Sequence, residues 1–221
     1  MHLIPPKTGN KGNERRNTKK QFMATFDAIN GLGTAIKTLL EDNHPSEWGT
    51  LTVSVVQPTA ISKGVGADKE GFTVSLYRVS VNGTQRTQLP RRDERNGKLY
   101  RPSRLVDLHY VITPWAMSTD RQHQMLGWLI TLIEDMGVLS SAQLNQKLPD
   151  PNTFGPMESV QLGFDLLPLT EHFNLWDKLR DNFPASITCV ARMVALDSLL
   201  PIDEGTAVHT RRFEAYQVEQ A

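Results

Sequence analysis

Asp107 and His109 are the side chains best spaced for chemistry. They lie two residues apart in a segment of strand character, so they share one face of it. Together they could supply two metal ligands or an acid–base pair. His123 or His172 would be a third ligand, and Cys189 is the one thiol in the chain. Each also has a plainer reading, and the residues favour it. A half-buried histidine paired with a carboxylate satisfies both polar groups and pins a neighbouring element. A cysteine inside a strand is ordinarily an inert buried thiol. Phosphate chemistry is poorly served: Gly64-Val65-Gly66-Ala67-Asp68 lacks both the dinucleotide fingerprint and the Lys-Ser/Thr of a P-loop. Gly31 and Gly33 fall inside a helical pattern. No cofactor is expected.

The second cluster is basic. From Arg78 to Arg104 there are eight basic residues against Asp93 and Glu94. Arg86, Arg91, Arg92, Arg95, Lys98, Arg101 and Arg104 could grip nucleic-acid phosphates. Yet Tyr100 is the only aromatic among them, and no helix-turn-helix or zinc-finger spacing accompanies them. An arm that reaches acidic surfaces of adjacent protein subunits uses the same residues. The net charge is zero but unevenly spread: residues 105–185 hold ten acidic and four basic residues. Such a polarised subunit suits head-to-tail stacking.

The elements that must position these residues follow from periodicity. Residues 1–22 carry six basic residues against Glu14, with Pro5-Pro6 and glycines, and are expected to be a flexible lead. A single domain is expected over residues 23–200, with a tail over 201–221 whose Phe213 and Tyr216 are candidate contacts to a neighbour. Apolar residues recur every three to four positions from Thr25 to Glu41, which predicts the first helix, with Gly31 and Gly33 weakening its middle. Strands are predicted at 51–56, from Phe72 through Tyr77, and at 105–112, where Thr113-Pro114 should end the last. The stretch from Asn82 to Arg104 reads as a mobile loop or an extended hairpin arm. A second helix from Thr119 to about Asp135 would open with a capping box of Thr119 and Gln122 and stop at Gly137. Residues 140–157 read as loop with one short helix. A strand over 160–167 follows, with Val160, Leu162, Phe164 and Leu166 inward. A short helix is anchored by Phe173, Trp176 and Leu179, and a last strand spans 186–196. The clustered early strands predict an α/β (α+β-like) fold: a mixed, largely antiparallel sheet flanked by helices. With one cysteine no internal disulfide can form. No run of eighteen apolar residues exists, so direct membrane insertion is not expected.

Several of these strings also carry a resemblance. Leu76-Tyr77-Arg78-Val79 leads to Asn82, and Leu105-Val106-Asp107-Leu108-His109-Tyr110-Val111-Ile112-Thr113-Pro114-Trp115-Ala116 follows. Leu126-Gly127 and Leu175-Trp176 then come in order. The series resembles the Pvc16-type family of extracellular contractile injection clusters over about Ala24 to Leu196. It departs from the family pattern at Val111 and Trp115, where Leu and Tyr are usual. The resemblance implies a non-enzymatic cap or tail terminator: a hexameric ring on the end of the inner tube, touching the last sheath layer. It implies an α/β fold without cofactor or small-molecule substrate, and homo-oligomer, tube and sheath proteins as partners. Assembly would take place in the bacterial cytoplasm, within a phage-tail-like particle open to release. A nucleic-acid-binding module using residues 86–104 is the alternative, and a metal-dependent enzyme centred on Asp107 and His109 stands further off.

Overall fold

The structure, a computed structural model, describes residues 26–66, 69–83, 89–93, 96–178 and 185–203. In chain order its elements are α1 (Asp27–Asn43), β1 (Thr52–Val55), β2 (Gly71–Val81), β3 (Arg91–Arg92), β4 (Leu99–Tyr100), β5 (Arg104–Trp115), α2 (Thr119–Met136), β6 (Val138–Ser140), α3 (Ser141–Asn145), β7 (Ser159–Phe164), α4 (Leu169–Lys178) and β8 (Ile187–Leu196). Six strands form one sheet in the order β1-β2-β5-β8-β7-β6. Only β1 and β2 run parallel; every other neighbour pair is antiparallel. β3 and β4 form a separate two-stranded hairpin in the connection from β2 to β5. This is the mixed, largely antiparallel sheet with flanking helices that the pattern predicts.

Alternation along the strands builds two unlike faces. On one, Phe72, Val74, Leu108, Tyr110, Ile112, Leu162, Cys189 and Ala191 join Leu32, Ile36 and Leu40 of α1 and Met125, Leu129 and Ile133 of α2 in a single apolar core. Trp128 reaches across that layer, its ring 5.6 Å from Phe72 and 5.3 Å from Trp48. The other face is buried too but polar in type: Thr73, Ser75, His109 and Thr113 lie on it beside Val111 and Val190. There Trp115 Nε1–H donates to Thr73 Oγ1 at 3.0 Å, and the indole packs on Gly64. The Thr73 and Thr113 hydroxyls are satisfied sideways, by Trp115 and Ser186, while Ser75 Oγ has no partner among the described residues.

Several boundaries differ from the periodic reading. β5 does not stop at Thr113 but runs through Pro114, opposite Phe72, to Trp115. Pro114 accepts a bond at its carbonyl from Gln122 Nε2, on the side away from β2. Its missing N–H therefore lies where β8 has already ended, at Ile187 opposite Ile112, and no ladder bond is lost. That bond also occupies the side chain expected in a capping box with Thr119. The N-cap of α2 is instead Ser118, whose Oγ accepts from the Arg121 N–H. Gly137 does end α2. β6 was not expected, because three residues are too few to show alternation. Leu166 is exposed rather than inward: β7 ends at Phe164, and Asp165 turns to bond β8. Phe173, expected as an anchor of α4, is 60% exposed; the side chain of Trp176 and all of Leu179 lie outside the described residues. No helix among the described residues is long and apolar enough to cross a membrane.

The two helical glycines separate on contact geometry. A Cβ on Gly31 would sit 3.1 Å from both Leu148 and Phe154, so this glycine admits the loop after α3. A Cβ on Gly33 would meet only Val55 Cγ1, at 3.4 Å. Gly33→Ala is therefore expected to stabilise the fold by up to about 1 kcal/mol through helix propensity. Gly71→Ala, whose Cβ would fall 1.8 Å from Thr52 O, should cost more than about 3 kcal/mol. Urea denaturation of the two variants checks both signs.

Candidate assembly interface

The arm between β2 and β5 is rooted in one carboxylate. Asp107 accepts from Asn82 Nδ2 with both oxygens at 3.1 Å, and its Oδ1 accepts from the Met193 N–H at 2.9 Å. Asn82 closes β2, Asp107 sits in β5, and Met193 marks the irregularity in β8 where pairing shifts between Val106 and Leu108. Met193 has a φ of 60°, a left-handed conformation costly for a side chain of its shape. The bond from its amide to Asp107 holds it there.

Above this root the arm folds back on itself. Arg91 and Arg92 pair with Tyr100 and Leu99, and the turn between them uses Gly97 at φ 67°. Arg91 is turned inward. Its Nη1 lies 3.3 Å from Asp197 Oδ2 and its guanidinium rests 5.8 Å from the Tyr100 ring centroid. Ser103 Oγ donates to the other oxygen of Asp197. Tyr100 is buried, bridges Pro201, and is flanked by the bond from Ile202 N–H to Leu99 O. Arg92 is exposed and donates from Nη1 to Gly97 O at 2.9 Å. Lys98, Arg101 and Arg104 are exposed as well, and none of these three enters an ion pair among the described residues. Arg86, Arg95, Phe213 and Tyr216 lie outside the described residues.

Asp107 and His109 occupy one side of β5 but serve different partners. His109 Nδ1 is 2.6 Å from Asp165 Oδ2, and its Nε2 is 2.9 Å from Ser80 Oγ. The Tyr77 hydroxyl donates to the same Asp165 oxygen at 2.6 Å. Asp165 is in turn fixed by backbone and side-chain bonds to Thr188. The expected aspartate–histidine tie thus exists, with Asp165 rather than Asp107 as the acid. Asp165 was hidden from sequence reading because it comes from the end of β7; the polar break in that strand's alternation was its only signal.

Ser80, His109 and Asp165 follow the connectivity of a hydrolytic triad, and the surroundings decide against that use. Ser80 lies within a strand opposite Asp107, not on a turn that frees backbone amides for an oxyanion. The Asp165 oxygen facing His109 is shared with Tyr77. Two cavities among the described residues, of about 250 and 450 Å³, are lined by other residues. His123 is exposed on α2, the His172 side chain is outside the described residues, and no group of three His, Cys, Asp or Glu among the described residues could hold a metal ion. The network is a tie between β2, β5 and β7.

The remaining motif residues have distinct roles. Tyr110 is buried on the apolar face; Pro114 docks the start of α2 through its carbonyl. Arg78 is exposed opposite His109. Gly127 is exposed on α2 with nothing within 4 Å of an added Cβ, so the fold itself does not require glycine there.

Asp107→Ala should lower stability by about 2–3 kcal/mol in urea denaturation, since it removes the bonds from Asn82 Nδ2 and frees the Met193 bend. Adding Met193→Gly should recover part of that loss, because glycine adopts the bend without strain. The buried acids give a pH dependence. Burial, with the Asp165 carboxylate adding to it, pushes the Cys189 thiol up to about 12 from 9.0. Burial also raises the Tyr110 and Tyr77 hydroxyls above their ordinary 10.0, and the bond to Asp165 adds to the shift at Tyr77. The folded state keeps protons that the unfolded chain loses. The stability these groups contribute is therefore complete below pH 9.0, the ordinary value of Cys189, and declines as pH rises through the unfolded values and beyond. Denaturation midpoints measured across the alkaline range should fall accordingly.

Comparison with curated proteins finds no significant match. Among solved structures the chain is similar to the sheath/tube terminator of PVC, an extracellular contractile injection system, in its extended state. That likeness has 13% identity and a TM-score of 0.57, covering 86% of this chain and 64% of that one. It is also similar to the tube-terminating cap of the anti-feeding prophage AFP, at 14% identity and a TM-score of 0.59, covering 88% of this chain and 63% of that one. The chain thus spans somewhat under two thirds of the length of both, and at these identities the likeness is one of fold. The sequence itself matches the Pvc16 N-terminal domain from residue 31 to residue 210, across the sheet, the arm and both ties. By that match the chain belongs to the Pvc16 N-terminal domain family.

Proposed function

We propose that this protein is a structural, non-enzymatic subunit that terminates the inner tube of a contractile injection machine. The observation that carries the reading is the family match over residues 31–210, on a fold shared with two chains described as a sheath/tube terminator and a tube-terminating cap. The finer reading is a hexameric ring seated on the tube end and joined to the last sheath layer, assembled in the bacterial cytoplasm within a phage-tail-like particle. The domain at residues 23–200 supplies the body of the subunit, with segments 1–22 and 201–221 outside it.

Geometry supports a scaffold with handles. The two polar ties lock β2, β5, β7 and β8 together, as a subunit that must hold shape in a ring requires. Arg101 and Arg104 stand exposed at the arm's root and enter no ion pair among the described residues. They are placed to meet an acidic neighbour, where charge sets register and encounter rate. Arg91 is engaged with Asp197, which takes one member out of the basic patch that the nucleic-acid reading would need.

Reversing both exposed charges (Arg101→Glu with Arg104→Glu) should leave the melting temperature within a degree or two of wild type. It should abolish capping of tube ends in negative-stain images of mixtures with tube and sheath proteins. Capping that survives the reversal would remove the arm from the interface. A wild-type chain that stays monomeric and never joins tube ends would overturn the cap reading itself.

A further inference from the structure

β2 is the unfinished edge of the sheet. β1 covers it only from Gly71 to Val74, with the Val56 N–H to Val74 O bond as the last rung. Among the described residues nothing pairs with its outer side, the one away from β5, from Ser75 to Val81. The Asn82 N–H donates to Leu105 O, so by the antiparallel alternation Ser80 and Arg78 bond inward to β5. The amide groups of Val79 and Val81 then face outward, unclaimed among the described residues. The irregularity at Tyr77 makes Leu76 and Val79 successive residues on the helix-covered face, opposite Tyr110 and Leu108, with Val81 opposite Val106. Val79 and Val81 are 49% and 73% exposed. Beside them Phe26, Ile29, Asn30, Gly33, Val55, Leu76 and Tyr110 line a cavity of about 450 Å³. The buried Tyr110 hydroxyl has no hydrogen-bond partner among the described residues.

An apolar strand edge with outward amides is a template for another strand. The far edge of the sheet is not equivalent: β6 has three residues, and the Ser140 N–H is already given to Gln143 Oε1. Two segments of the chain outside the described residues are long enough to serve. Residues 1–25 are a poor fit, because they hold six basic residues against Glu14 and would approach an edge that bears exposed Arg78. Residues 204–221 hold Glu204, Glu214 and Glu219 against Arg211 and Arg212, with Val208, Thr210, Phe213, Tyr216 and Val218 as strand formers. Their direction of departure is also on view. Residues 200–202 run antiparallel to 99–101, which lead into β5, so the chain at Asp203 travels outward along the arm and away from its own sheet. Fully extended, the segment spans up to about 60 Å, enough to reach an adjacent molecule.

We propose that residues 204–221 of one copy add as an edge strand to Leu76–Val81 of β2 in a neighbouring copy, seating an aromatic side chain against the cavity floored by Tyr110. The proposal rests on the reading of this chain as a ring subunit and names one contact between its members. It is tested with full-length chains, in which native Cys189 stays buried. One chain carries Val81→Cys, and the other carries Phe213→Cys or Tyr216→Cys; the two are mixed, assembled on tube ends and oxidised. The expected result is a disulfide-linked species of twice the chain mass for at least one mixture. A ladder of higher multimers is expected when both substitutions are in one chain. Rings that still cap tubes while every mixture stays uncrosslinked overturn this contact and leave the cap reading standing. A doubly substituted chain that crosslinks only to itself overturns the exchange between copies. A chain that remains monomeric throughout overturns both.

Discussion

The carboxylate of Asp107 joins β5 to β8 and to the residue that follows β2, at the point where the arm begins. A long polar connection between antiparallel strands would ordinarily sample many conformations. Here its first residue, Asn82, is held to β5, and the same carboxylate props Met193 of β8 in a bend that costs energy on its own. A charged acceptor shared between a side-chain amide and a backbone amide is strong enough to outweigh that strain. The strain also has a use: it lets β8 skip a residue against β5, so that Leu196 lies opposite Arg104 and the chain beyond turns up along the arm.

The second tie works on the opposite principle. Tyr77, His109, Ser80 and Asp165 satisfy one another in a half-buried setting, and they tie β2 and β5 to the residue that follows β7. Polar residues on a buried face specify more than they stabilise, because a slip of one residue would strand all four groups at once. The same logic extends to Thr73 with Trp115 and Thr113 with Ser186 on that face. The apolar face supplies cohesion; the polar face supplies register.

What was legible in the sequence follows this division. Helix α1 and strands β2 and β5 were visible because burial on the apolar face writes a period into the residues, as Phe72-Val74-Leu76 and Leu108-Tyr110-Ile112 show. Polar partnerships leave no period. Asp165 was unreadable as the acid of His109 because the pair is separated by α2, β6, α3 and β7, and nothing local distinguishes it from a solvated loop aspartate. Pro114 was misread for a related reason: its tolerance in β5 depends on where β8 stops, a fact of another segment. The arm's arginines were visible as a charged run, yet composition could not tell Arg91, folded onto Asp197 and Tyr100, from Arg101 and Arg104, which face outward. The metal reading of Asp107 and His109 came from correct strand alternation, and it failed because neighbouring side chains on one face can belong to separate networks.

The way the chain leaves the fold at residues 200–203 has a mechanical side. The Arg101 N–H to Leu200 O and Ile202 N–H to Leu99 O bonds lie across the direction in which the chain departs. A pull on the segment past Asp203, directed along the arm, would load these rungs together in shear instead of peeling them one after another. The Arg91–Asp197 pair and the Ser103–Asp197 bond stand behind them as a second anchorage on the same route to β8. The joint is thus built to bear tension along one axis and to yield along others, a directional stiffness that hydrogen-bond counts alone would not reveal.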